Sequence, residues 1–349
     1  MSSNDAEDAC EIDSLEDVAE NSAALSRLLE ILCAPVLDAQ EISVLLRRIN
    51  PLLLTAQDIV VAVLRLRTLA RMVPDVVRPH AIDLCGTGGD KKSTPNISTL
   101  AALTVAACGV DVAKHGGRSA SGNCGSADLM HALGIPDVLS PELSAEHLRT
   151  LHFGFYFAPA FLPALSRVSR IRTAIGRPTA LNVLLPLLNP ARPSFQLMGV
   201  YDCRLLRSVA LALQQQGIQR ALVVSGEGGY DEMTTTGATR FIEVSASEIV
   251  EGVAMPEDCD IPRAEALSLH CETSAQSIAA AILTVTGVPT PVMHVVAYNA
   301  GYALYIAGHA ESAKIGVGKA LSALRDGRVY KLVTALRCLR YPIKRMSPR

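Results

Sequence analysis

The sequence lacks any concentrated run of positive charge. Lys and Arg number 32 against 34 Asp and Glu, for a formal net charge of −2. A protein that lives on nucleic acid carries a concentrated basic face, so nucleic acid is excluded as the main partner. The chain also lacks a C-x-x-C pair. Its nine cysteines are odd in number and sit mostly in apolar surroundings, which excludes a zinc site or a disulfide framework and fits a reducing cytosol. Basic residues are missing from 5–20, which hold eight acids. That is the opposite of a secretory or mitochondrial leader, and residues 1–21 are expected to form a solvated, disordered acidic tail of a cytoplasmic protein. Charge of either sign is missing from Ser277 to Gly308. A membrane span is nevertheless not expected, because Gly287-Val288-Pro289-Thr290-Pro291 interrupts the run and His294, Asn299 and three tyrosines follow; two buried helices fit better. Tryptophan is absent and charged residues are only 19%.

What remains is apolar. Hydrophobic residues make up 49% of the chain, enough to bury a sizeable core. Residues 22–78 read as a small helical subdomain, with Leu25, Leu28, Leu29 and Leu32 at helical spacing and a second set through Ile59, Val60, Val63 and Leu64. Helices from about 140–200 are expected to join it. From 79 onward short apolar runs alternate with Gly-rich turns and helical patterns. Strand candidates include Ala81–Leu84, Val110–Lys114, Ala221–Ser225 and Arg240–Val244; helices are expected over Leu100–Cys108, Ala127–Leu133 and Leu205–Gln215. This alternation predicts an α/β domain with a mostly parallel central sheet.

Three stretches carry chemistry. The first runs from Asp83 through Gly86-Thr87-Gly88-Gly89-Asp90, followed by Thr94, Asn96, Ser98 and Thr99. A strand enters a glycine turn whose backbone N–H groups can approach an anion, and a helix is expected to begin beside it. It is neither Walker A nor the dinucleotide fingerprint. Alone, it reads equally well as a tight strand–helix turn. The second, Lys114-His115-Gly116-Gly117-Arg118 through Ser126 to Asp128, also links a strand to a helix and offers two cations, four glycines and three hydroxyls, a composition suited to phosphate. Two such loops at the carboxyl ends of strands can face one cleft. The third, Gly226-Glu227-Gly228-Gly229-Tyr230-Asp231-Glu232, brings adjacent carboxylates. They read either as a solvated acidic turn or, beside two anion loops, as hard oxygen ligands for Mg²⁺.

With these residues in view, the sequence resembles the anthranilate phosphoribosyltransferase family. Besides the three loops, Asn96-Ile97-Ser98-Thr99, Phe157-Ala158-Pro159, Leu187-Leu188-Asn189-Pro190, Gly199-Val200-Tyr201 and Asn299-Ala300-Gly301 appear in family order, and the likeness spans roughly residues 22–335. It implies a small helical domain beside a large α/β domain, a cleft between them and usually a homodimer through the helical part. It also implies transfer of a phosphoribosyl unit from phosphoribosyl pyrophosphate to an aromatic acceptor. By resemblance, Gly86, Thr87, Gly88, Gly89 and Asp90 would hold the donor's pyrophosphate; Asn96, Ser98 and Thr99 would bind phosphate; Thr94, Lys114 and Ser126 would complete the donor site. Ser98 would ligate one Mg²⁺, and Asp231 with Glu232 a second. Arg172 would meet the acceptor carboxylate, with His115 nearby.

Three positions depart from the family pattern, all on the acceptor side. Gly117 stands where the family typically has Asn, Leu162 where it has His, and Leu185 where it has Gly. They predict an altered, more apolar acceptor pocket behind intact donor chemistry. The competing readings are transfer to anthranilate in tryptophan synthesis, transfer to a different aromatic acid in specialised metabolism, a nucleoside phosphorylase, and a non-catalytic scaffold.

Overall fold

The structure, a computed structural model, describes residues 14–34, 36–71, 73, 80–118 and 124–338. The first helix spans Leu15–Cys33, because Ser14 and Asp17 form a reciprocal capping box: Asp17 N donates to Ser14 Oγ at 3.1 Å, and the Asp17 carboxylate accepts from the Ser14 backbone. The expected acidic tail over 1–21 is corrected here. Residues 1–13 lie outside the described residues, but Glu16 and Asp17 belong to a first helical turn, where negative charge favours the helix dipole. Helices Ala39–Arg48 and Ala56–Arg67 follow, capped by Asp38 and Thr55.

Seven strands form one sheet among the described residues: β1 Ile82–Gly86, β2 Val112–Gly116, β3 Phe153–Phe157, β4 Phe195–Gly199, β5 Arg220–Gly226, β6 Thr239–Ser245 and β7 Ile249–Ala254. Their order is β3-β2-β1-β4-β5-β6-β7. The first five pair in parallel, and β6 and β7 add an antiparallel flank. Alternate residues enter opposite cores. Leu197, Leu222 and Val224 face one packed against the helices Ile97–Ala107 and Pro291–Ile306; Met198, Ala221 and Val223 face another shared with the N-terminal helices. Burial on both faces explains why these strands read as continuous apolar runs.

The second core also takes in Leu162, Leu165 and residues of helix Ala180–Leu184, so the helices joining the N-terminal group come after β3. Helix Pro141–Leu151, expected among them, packs on β3 instead. The uncharged run is two helices, Ser274–Val285 and Pro291–Ile306, separated at Gly287 with φ +80°. No described helix is long and apolar enough to cross a membrane.

The chain leaves β1 for β2 and β3 on one side, then returns to place β4 on β1's other side. That reversal is the position at which open α/β sheets form a ligand crevice beyond their carboxyl ends.

Candidate functional site

A cleft of about 600 Å³ opens at this reversal. The carboxyl ends of β1, β2 and β5 deliver the three Gly-rich loops to it. Gly86, Gly88, Lys114, His115, Asp231 and Glu232 all line one wall system, so loops distant in sequence share one space. Thr87, Gly89, Thr94, Asn96, Ser98, Gly117, Ser126, Leu162, Arg172 and Leu185 line it too. Of the Lys114–Ser126 loop, residues 119–123 lie outside the described residues.

The first loop is shaped by two successive left-handed glycines, Gly88 (φ +62°) and Gly89 (φ +87°). It is pinned on three sides: Thr87 N donates to Gly199 O at 3.0 Å, Tyr201 N to Thr87 Oγ1 at 3.1 Å, and Asn182 Nδ2 to Thr87 O at 3.0 Å. The acidic loop docks directly on it. Gly88 N donates to Asp231 Oδ2 at 2.6 Å. This approach requires glycines at the ends of β1 and β4, since a Cβ on Gly86 would meet the Asp231 carboxylate and one on Gly199 the Asp231 backbone carbonyl.

Helix Ile97–Ala107 starts at the cleft without a side-chain cap. Asn96, at its N-cap position, instead donates to the carbonyl of Cys124 at 3.0 Å, joining the first and second loops. The uncapped N-terminal N–H groups suit an anion. Lys114 is almost wholly buried, yet its ammonium reaches the cleft edge: Nζ donates to Leu84 O at 2.6 Å and lies 3.5 Å from Ser98 Oγ. Burial pushes its pKa down, and the Asp83 carboxylate opposes that shift. Asp83 is itself pushed up to about 6 by burial, with Lys114 and the Asn189 amide pulling the other way.

Two expectations are corrected. Thr99 does not line the cleft; it is fully buried on the helix, its hydroxyl without a partner. Asp90 also stays off the cleft wall, behind Asp231. The three carboxylates crowd together. Burial, then the Asp90 charge, raises the pKa of Asp231; burial, then Asp231 and Asp90, raises that of Glu232 well above the usual range. Glu232 Oε1 is buried without a partner. Crowded carboxylate oxygens with an unsatisfied acceptor fit a hard divalent cation. No group of three or more His, Cys, Asp or Glu side chains forms a preformed metal cage among the described residues.

The cleft also has an apolar lining. Leu162, Leu165, Leu185 and Pro186 contribute it, with Arg172 among the lining residues. Arg172 Nε is buried without a partner, and its Nη2 makes only a long 3.3 Å bond to Asn182 Oδ1. His115, with Nε2 unpartnered, is held neutral: burial, then the Lys114 charge, lowers its pKa to about 3.

Sequence reasoning assigned no role to Asn182, Asp83 or Asn189. Asn189 Nδ2 donates to Asp83 Oδ2 at 2.8 Å and to Ala113 O at 2.7 Å, tying β1 to β2 beneath the cleft. Asn182 signals itself only as the third residue of the Thr179 capping box.

Known proteins share this arrangement. Residues 78–330 match the family model described as the glycosyl transferase family, a/b domain. An anthranilate phosphoribosyltransferase from Nitrosomonas europaea is 40% identical over 264 residues, covering 76% of this chain and 77% of that protein. The crystal structure of anthranilate phosphoribosyltransferase from Thermus thermophilus superposes with a TM-score of 0.81 at 34% identity, covering 93% of this chain and 98% of the other. The Saccharomyces cerevisiae enzyme in complex with PRPP and Mg, at 23% identity and a TM-score of 0.79, shares the fold over 91% of this chain and 92% of its own. With its pyrophosphate-type loop, buried lysine and acidic pair converging on one cleft, this chain belongs to the anthranilate phosphoribosyltransferase family of pentosyltransferases.

Proposed function

We propose that the protein transfers the ribose 5-phosphate unit of phosphoribosyl pyrophosphate to anthranilate or a related aromatic acid, releasing pyrophosphate, with Mg²⁺ as cofactor. One observation carries the reading: Gly88, Lys114 and Asp231, on three separate strand-end loops, line the same cleft. The leaving pyrophosphate is a polyanion, and stabilising its developing charge is the main catalytic task. The Gly86–Gly89 backbone, the uncapped helix start at Ile97 and Ser98, and the Lys114 ammonium supply fixed positive poles for it. Asp231 and Glu232 would hold Mg²⁺, with Ser98 on the donor side; bound there, the metal would neutralise charge on the phosphates. C1 of the ribose passes through an oxocarbenium-like state, so a weak aromatic nucleophile suffices. The remaining task is placement of the acceptor, for which proximity alone is worth several kcal/mol.

Arg172 fits an acceptor carboxylate, because its guanidinium is half-buried, with a buried Nε that has no partner, and lacks an anion among the described residues. Its neighbours Leu162, Leu165 and Leu185 favour an apolar ring, which supports the altered acceptor pocket. Val44, Val61 and Leu64, exposed on the N-terminal helices, support the expected homodimer. Pyrophosphate release, measured with anthranilate and a panel of substituted aromatic acids, tests the function. The reading predicts turnover that needs both donor and Mg²⁺, and faster turnover with an apolar-substituted acid than with anthranilate. Rapid turnover with tight anthranilate binding would remove the altered pocket, and no turnover with any acid would remove the transferase reading.

A further inference from the structure

The N–H of Gly88 lies at the turn of the anion loop, and a protein carboxylate already sits on it. Asp231 Oδ2 accepts from Gly88 N at 2.6 Å, a close contact that occupies this N–H. The seat is built for it. Gly86 and Gly199 leave the carboxylate and its backbone no room to spare, and Gly226 N bonds to Tyr230 O at 2.8 Å to fix the approach of the loop. The neighbouring Glu232 differs: one of its carboxylate oxygens has no partner. Within the acidic pair, Asp231 is the one that sits on the loop.

We infer that the Asp231 carboxyl group is a built-in occupant of the pyrophosphate loop, and that a divalent cation, by taking Asp231 as a ligand, frees the loop. The inference rests on the reading that the Gly86–Asp90 loop takes the donor's pyrophosphate. It adds a second task to Asp231 beyond ligating metal: it keeps the loop closed to anions until the cation arrives. Metal and polyphosphate then bind cooperatively, through competition for one N–H group, and the coupling is reciprocal.

The test uses inorganic pyrophosphate as the probe and calorimetric titration in EDTA as the readout, with no turnover involved. Removing the competing carboxylate in Asp231→Ala is expected to tighten metal-free pyrophosphate binding at least tenfold over the native protein. Glu232→Gln alters the other carboxyl of the same pair without touching the Gly88 N–H, and is expected to change it less than threefold. If the Ala variant does not fold, Asp231→Asn carries the test: its neutral amide competes more weakly, and a gain of at least threefold over both the native protein and Glu232→Gln is expected. Equal affinity in the native protein and the Asp231 variants overturns the inference. So does an equal gain in Glu232→Gln, which would reduce the effect to net charge. If pyrophosphate fails to bind the native protein even with saturating Mg²⁺, the donor-site reading itself falls, and this inference with it.

Discussion

Gly199 and Gly86 are the residues against which the acidic loop leans, and their missing side chains are a functional requirement. A methyl at Gly199 collides with the backbone of Asp231, which cannot swing aside as a side-chain tip can. Gly199→Ala is therefore expected to cost about 1–3 kcal/mol of stability by overpacking, and to weaken donor binding in the presence of Mg²⁺ by displacing Asp231 as a metal ligand; urea unfolding and calorimetry with saturating Mg²⁺ read the two effects separately. Arg172→Gln should raise KM for the acceptor about 10-fold to 100-fold, the range of a charged hydrogen bond, with donor KM little changed. Steady-state kinetics with each substrate varied in turn checks it. His115 gives a pH signature. Its folded pKa, near 3, lies below the unfolded value near 6.5, so its stabilising effect is complete above 6.5 and is lost as pH falls toward 3. The linkage slope of about 1.4 kcal/mol per pH unit gives a loss of about 2 kcal/mol between pH 6.5 and 5. His115→Asn should flatten that stretch of the stability profile, as read by denaturant midpoints at each pH.

At the scale of elements, the three Gly-rich loops were legible in the sequence because each is a glycine cluster directly after an apolar strand. Their partners were less so. Asp83 is one acid inside an apolar strand and reads as part of the turn motif; only the fold shows it buried between the Lys114 ammonium and the Asn189 amide. Thr99 stands among phosphate-binding candidates by position, but helical geometry turns it into the core, one residue from Ser98 on the cleft. The start of the first helix was hidden inside an acidic run, since charge composition masks a capping box that depends on two residues, Ser14 and Asp17. The Phe157 and Gly199 motifs turn out to mark the ends of β3 and β4, strands not among those named from the sequence. Asn189→Ala would remove the tie between β1 and β2 and leave the buried Asp83 carboxylate without its amide partner. A loss of about 2–4 kcal/mol is expected, more than for an ordinary hydrogen bond because the group left behind is charged; chemical denaturation measures it.

Across the whole molecule, composition and strand–helix alternation sufficed for an α/β architecture with a mostly parallel sheet. The antiparallel flank of β6 and β7 was not legible, because a strand's alternation does not reveal the direction of its neighbour. The junction between helices and sheet was also out of reach, since it depends on which helices share the core holding Met198 and Val223. The cleft forms where those two halves meet the strand-order reversal, lined by the Gly-rich loops and by Leu162, Leu165 and Leu185. The central claim is that three loops build one metal-assisted polyanion site there. Calorimetric titration of the native protein with phosphoribosyl pyrophosphate and Mg²⁺ tests it most directly. The account predicts one donor bound per chain, with affinity falling sharply when Lys114 is replaced by Met; absence of binding, or binding indifferent to Lys114, would contradict it.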